Sequence, residues 1–192
     1  MTVKTLSRRE QIITAATELF KARGYAGTSM RDLAQAVGIE AGSLYSHVSA
    51  KEEILREICF SMADKFMAHI RQVMALDNCC YEEKLFAAIK GHVEIIVANL
   101  NATSVFWNEW HFLPAEERER FSAMQIEYET AFREIIAAGN MAGEFAVADP
   151  AFTTMAILSS LNGLQKWRLY TMPPEELGTQ FANLFINGIK SK

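Results

Sequence analysis

The chain has 192 residues, 50% of them apolar and 22% charged, enough to bury a full core and too apolar for a disordered protein. Its net charge of −4 hides an asymmetry. Through Lys51, seven Lys or Arg (4, 8, 9, 21, 23, 31, 51) face four acids (10, 18, 32, 40), a balance of +3, while the remaining twelve bases against nineteen acids leave −7. A basic amino-terminal unit on an acidic body suits phosphate contact at one end and a different task at the other.

Nearly every segment reads as helix. Ser7 with Glu10 makes a capping box, and Ile12, Ile13, Ala16, Leu19 and Phe20 recur at helical spacing until Gly24 stops the first helix. Thr28 or Ser29 caps the second, with Asp32 completing the box. Leu33, Ala34 and Val37 form one apolar face, Gly38 supplies a tight turn, and Ile39, Leu44 and Val48 form the facing stripe of a third helix from about Glu40 to His47. This spacing predicts a helix-turn-helix reader of DNA. Ser43, Tyr45, Ser46 and His47 stay outward, compact groups able to reach base edges and phosphates in a major groove.

Ser49 with Glu52 caps a fourth helix whose apolar positions Ile54, Leu55, Ile58, Met62, Phe66, Ile70 and Met74 continue to about Leu76, where Asp77 and Asn78 break it. At 1.5 Å per residue it is roughly 40 Å long, the length of a connector. Further helices are predicted at Glu82–Asn99, Thr103–Phe112, Pro114–Ala138, Pro150–Tyr170 and Pro173–Gly188, with the prolines at starts and Gly139 and Gly143 in a loop. The expected fold is therefore all-α, with about nine helices. A three-helix helix-turn-helix domain spans 1–50, and a helical ligand-binding and dimerisation domain spans 51–192.

The charge-free run Pro150 to Gln165 is too short and too polar to span a bilayer, so no membrane partner is expected. Cys59, Cys79 and Cys80 form no spaced framework and the amino terminus lacks an apolar signal-type region, which makes a reducing cytoplasm the expected compartment. His69, His92 and His111 lack metal-ligand spacing, and no nucleophile-base pairing or phosphate loop is visible; neither metal, cofactor nor enzymatic activity is expected.

The first 55 or so residues resemble the TetR family of bacterial transcriptional regulators. The resemblance is carried by Leu19-Phe20 then Gly24-Tyr25, Thr28-Ser29-Met30-Arg31-Asp32-Leu33-Ala34, Val37-Gly38-Ile39, Gly42-Ser43-Leu44-Tyr45 and Lys51-Glu52-Glu53. Tyr81 to Lys192 is similar to the family's all-helical effector and dimerisation region, and its run Arg133 to Phe145 with Asn162 and Trp167 is similar to members that sense acyl-CoA or other lipid-like compounds. Two departures stand in the reader. His47-Val48 replaces the commoner Tyr-Phe or His-Phe, and Glu40-Ala41 replaces the usual Ser-Lys, so that Glu40 is read as a cap or as an acceptor from cytosine.

The resemblance implies that Tyr45 and Lys51 meet phosphates while Ser43 and His47 lie at base edges, with Ala41 and Gly42 at the entry of the recognition helix. Thr28 and Ser29 are caps only, or caps that also touch the DNA backbone; Arg31 contacts a phosphate or is simply solvated. Lys4, Arg8 and Arg9 follow the groove or belong to a solvated tail. The expected partner is a pseudo-palindromic double-stranded operator, bound by a repressor; a TetR-like lipid-binding or scaffold module without DNA binding is the alternative.

Phe106, Trp107, Trp110, His111 and Phe112 form the densest aromatic cluster, read either as core or as the wall of an effector cavity. In the second reading Trp107, Trp110 and His111 join Met62, Phe66, Ile70, Tyr128, Phe132, Met155 and Asn162 around a small apolar effector, a fatty acid or an acyl-CoA. Arg118, Arg120, Arg133, Lys166 and Arg168 are the basic candidates for the phosphates of the latter. Asn162 orients a ligand or pairs across a dimer interface. The last two helices are apolar on more than one face, Leu169 included, and Ser159, Ser160, Gly163, Trp167, Phe181, Leu184 and Phe185 are the expected homodimer interface.

Overall fold

The computed structural model describes residues 6–167 and 171–191, and over these the chain is all-α. The helices are α1 (Arg8–Arg23), α2 (Met30–Ala36), α3 (Ala41–Leu44), α4 (Lys51–Met74), α5 (Tyr81–Ala98), α6 (Leu100–Glu109), α7 (Ala115–Met141), α8 (Pro150–Asn162) and α9 (Pro174–Ile189). Short 3-10 turns occupy Trp110–Phe112 and Gly163–Lys166. Among the described residues the one extended pairing is an isolated antiparallel bridge between Phe145 and Lys190. No helix among them is long and apolar enough to cross a membrane. Lys4, Arg168, Leu169 and Tyr170, named above, lie outside the described residues.

Local chemistry explains the helix ends and corrects several expected ones. Ser7 and Glu10 form the reciprocal box that starts α1, and Gly24, at φ 77°, ends it. Ser29 rather than Thr28 caps α2, exchanging hydrogen bonds with Asp32. The α-helical part of the third helix closes at Leu44, not His47. There the Ser46 hydroxyl donates to the Ser43 carbonyl at 2.7 Å, and bonded turns carry the chain to Val48. Glu53, not Glu52, takes the cap of α4: the Ser49 amide and hydroxyl both donate to its carboxylate at 2.7 Å. The seventh helix does not stop before Gly139. It continues to Met141, because Gly139 is buried under Phe145, where a Cβ would overlap the ring; Gly143, at φ 77°, makes the turn instead. The eighth closes at Asn162 and passes into a 3-10 turn.

The chain forms two compact units that divide within helices. The first joins Met1–Met62 to Asn101–Arg120, and the second joins Ala63–Leu100 to Phe121–Lys192. In the first, Ile12, Phe20, Leu33, Leu44, Ile54 and Leu55 are all at most 1% exposed. In the second, Phe66, Ile70, Leu85, Ile89, Phe132 and Ile136 are buried. There α5 and α9 approach so closely that a Cβ at Gly178 would stand 2.8 Å from the Lys90 carbonyl oxygen. Lys90 also pairs with Glu175 at 3.0 Å.

Candidate nucleic-acid interface and effector region

The reader's geometry starts from its buried stripe. Leu33, Leu44 and Val48 are sealed, which turns the other side of α3 and its following turn to solvent. Gly42, Ser43, Tyr45, Ser46 and His47 are exposed, Tyr45 at 56%, and Ala41 is half-buried. Ser29 and Arg31 are exposed on the neighbouring α2. Thr28 is not with them: it is 1% exposed and its hydroxyl donates to the Gly24 carbonyl at 3.0 Å. Glu40 occupies the cap position of α3 through its carbonyl, which accepts from Ser43 and Leu44, while its exposed carboxylate makes no capping bond.

Two cations hold this surface in place. Arg9 belongs to neither a groove-following arm nor a solvated tail. Its guanidinium donates to the His47 carbonyl at 2.7 Å, to Glu53 at 2.7 Å and to Glu57 at 2.6 Å, tying the end of the recognition segment to α4. The Ser49 bonds first, and then Arg9, pull the Glu53 carboxyl down to about 2, so it stays ionised wherever the protein works. Lys51 donates to the carbonyls of Tyr25 and Thr28, both at 2.8 Å, and its ammonium lies 4.1 Å from the Tyr25 ring centre. An ammonium has three protons, and these carbonyls take two of them. The Tyr25 amide in turn donates to Glu109 on α6 at 3.1 Å. The bonds of Arg9, Glu57 and Glu109 leave little local trace in the sequence because each crosses a long separation; the one available signal is the excess of acids early in α4.

The residues expected around the effector fall into both units. Met62, Trp107, Trp110 and His111 are in the first, with Met62 buried and His111 exposed against Phe112. Phe66, Ile70, Tyr128, Phe132, Met155 and Asn162 are in the second. Of these, Phe66, Tyr128, Phe132 and Asn162 are brought together by a residue not expected there, His92. Its ring is 4.9 Å from Phe66, 5.7 Å from Tyr128 and 6.3 Å from Phe132. His92 Nε2 lies 3.1 Å from the Asn162 side-chain oxygen, so it donates there, and Nδ1 then accepts from the Tyr128 hydroxyl at 2.8 Å. Burial lowers the imidazole to about 3, against a smaller raising influence from Asn162, and His92 is neutral. The signal for it was present: 85, 89, 92 and 96 share a helix face, and Leu85, Ile89 and Ile96 are apolar.

Met155 is 58% exposed and shares its side of α8 with Phe152, Ser159 and Ser160. On α9 Leu184 is 66% exposed, while Phe181 is buried, with Trp167 and Phe185 rings 5.8 and 6.4 Å away. Gly163 opens the 3-10 turn that follows α8.

Known proteins share this plan. Residues 12–58 match the family described as "Bacterial regulatory proteins, tetR family", and residues 80–189 match "Tetracyclin repressor-like, C-terminal domain". The transcriptional repressor KstR2 of Rhodococcus jostii is 32% identical over 141 residues, 72% of this chain and 68% of that protein. Among solved structures, the ketosteroid transcriptional regulator KstR2 of Mycobacterium tuberculosis superimposes with a TM-score of 0.90 at 22% identity, covering 98% of each chain. AibR, solved in complex with isovaleryl coenzyme A and operator DNA, superimposes with a TM-score of 0.79 at 22% identity over 93% of this chain and 97% of its own.

Proposed function

The chain belongs to the TetR family of bacterial regulatory proteins, and from that premise we propose that it is a homodimeric cytoplasmic repressor released from its operator by a small apolar effector. It is a DNA-binding transcriptional regulator, not an enzyme. The observation that carries the reading is the exposed set Ser43, Tyr45, Ser46 and His47 on a segment pinned by Arg9. In this reading Tyr45, the third proton of Lys51, Ser29 and Arg31 serve phosphates, and Ser43 and His47 serve base edges from the Ala41-Gly42 entry. Thr28 acts indirectly, by shaping the turn.

Residues 1–50 form the reader and 51–192 the effector and dimerisation domain. Phe152, Met155, Trp167 and Leu184 leave large apolar side chains in water on one chain, with the small Ser159 and Ser160 among them; a twofold copy covering α8 and α9 removes that exposure. Two readers related by such an axis match half-sites about 34–36 Å apart, hence a pseudo-palindromic operator. The effector is a fatty acid or an acyl-CoA, a class supported by the apolar and aromatic side chains Phe66 and Phe132 of the second unit and by the isovaleryl coenzyme A bound to the structurally similar AibR. It must bind the released arrangement better than the DNA-bound one.

The test is a gel shift against the DNA flanking the protein's own gene, repeated across salt. Specific binding that weakens steeply with salt is expected. Absence of specific binding at every salt concentration would instead leave a TetR-like lipid-binding or scaffold module.

A further inference from the structure

Helix α6 carries two polar atoms that the described contacts leave unanswered. Thr103 is 0% exposed, and neither its hydroxyl nor the buried indole N–H of Trp107 has a hydrogen-bond partner. Other buried threonines behave differently: Thr17 and Thr154 return their hydroxyls to the carbonyl four residues back, at 2.7 and 2.8 Å. Unanswered buried groups of this kind are costly, and a native site that keeps two of them on one helix face has a use for them.

The opposite side of α6 is committed to the reader. Asn101 accepts from Lys21 of α1 at 2.7 Å, and Glu109 accepts from the Tyr25 amide at 3.1 Å. At 3.6 residues per turn, positions 103 and 107 lie about 120–160° around the helix from 101, 105 and 109. Thr103 and Trp107, four apart, share one face with Cβ atoms about 6 Å from each other. So α6 presents its acceptors to the end of α1 and the turn that follows it, and its two spare donors on another face.

Resting on the regulator reading above, we infer that the Thr103–Trp107 face of α6 is the polar subsite of the effector and that it takes a carbonyl-type oxygen on an apolar body. The chemistry is set by Trp107, whose indole nitrogen can only donate. Its partner must be an acceptor, and an sp2 oxygen has two lone pairs, one for the indole N–H and one for the Thr103 hydroxyl. The edge-on Phe106 ring, 4.7 Å from the Trp107 ring, gives the apolar body a neighbour. Occupation of this face shifts α6, and the Glu109–Tyr25 bond carries the shift to the turn that Lys51 also holds.

The source of the oxygen is decided with three probes of one chain length: dodecanoic acid, dodecanoyl coenzyme A and 2-dodecanone. Full-length protein labelled with 15N at its tryptophan indoles is titrated with each, the Trp107 resonance being assigned by its loss in Trp107→Phe. At least one probe is expected to move that resonance downfield and to release operator DNA. Thr103→Val is expected to weaken that probe about tenfold, the worth of one hydrogen bond, while Thr103→Ser retains it. A still Trp107 resonance with all three probes overturns the subsite, as does equal probe affinity in wild type, Thr103→Val and Trp107→Phe. Failure of the wild type to bind operator DNA is a separate result, which sinks the regulator reading itself.

Discussion

Arg9 shows how much one side chain can decide. It bonds the His47 carbonyl, Glu53 and Glu57 together, so the recognition segment is fixed to α4 by a single guanidinium. Because Arg9 is 39% exposed at its side chain, its ion pairs are screened. Arg9→Ala is therefore expected to cost only about 1–2 kcal/mol of stability by urea titration. Operator affinity in a gel shift should nevertheless fall about tenfold, since the groups that read DNA lose their common position. Tyr45→Phe, which removes an exposed hydroxyl, should weaken operator binding across all sequences without changing stability, whereas Ser43→Ala and His47→Ala should relax base preference. Unchanged gel shifts in all three would move the DNA contacts elsewhere.

His92 gives a pH dependence of definite sign. Its folded pKa, about 3, lies below the ordinary 6.5, so the unfolded chain binds the proton first as pH falls. The stability due to neutral His92 is complete above about pH 6.5 and is lost as pH drops from there toward 3. The carboxylate of Glu53 acts in a lower window, between its ordinary 4.5 and about 2. Urea midpoints between pH 7 and pH 5 thus isolate the histidine: a decline is expected in the wild type, and a much flatter profile in His92→Gln.

At the scale of elements, the tight crossing of α5 and α9 makes a sharp demand at Gly178. An added Cβ would stand 2.8 Å from the Lys90 carbonyl oxygen, and backbone cannot yield as a side-chain tip can. Gly178→Ala should cost about 1–3 kcal/mol, read by thermal or urea unfolding. A matching change at Gly188 on the same helix, where an added Cβ meets nothing within 4 Å, is the control and should cost nothing.

For the whole molecule, the prediction concerns assembly. Leu184→Glu places a charge on the exposed side of α9, which together with the exposed Phe152 and Met155 of α8 makes up the proposed interface. Sedimentation should show a folded monomer, and operator affinity should collapse because the two half-sites are no longer read together. A Leu184→Glu protein that remains dimeric would exclude this face as the interface.

The helices, their order and the reader are legible in the sequence, because caps and the 3.6-residue apolar period are local: Ser7-Glu10 and Leu33 to Val48 need no distant partner. The outward set Ser43, Tyr45, Ser46 and His47 was legible for the same reason, as the complement of a buried stripe. Which polar groups meet depends on packing. The bonds of Arg9 to Glu57, of Tyr25 to Glu109, and of His92 to Tyr128 and Asn162 span between 36 and 84 residues of chain. Hydrogen bonds of that range depend on how faces pack, which no local period encodes. The same holds for Met155 and Thr103, one turned to solvent and the other sealed with its hydroxyl unanswered.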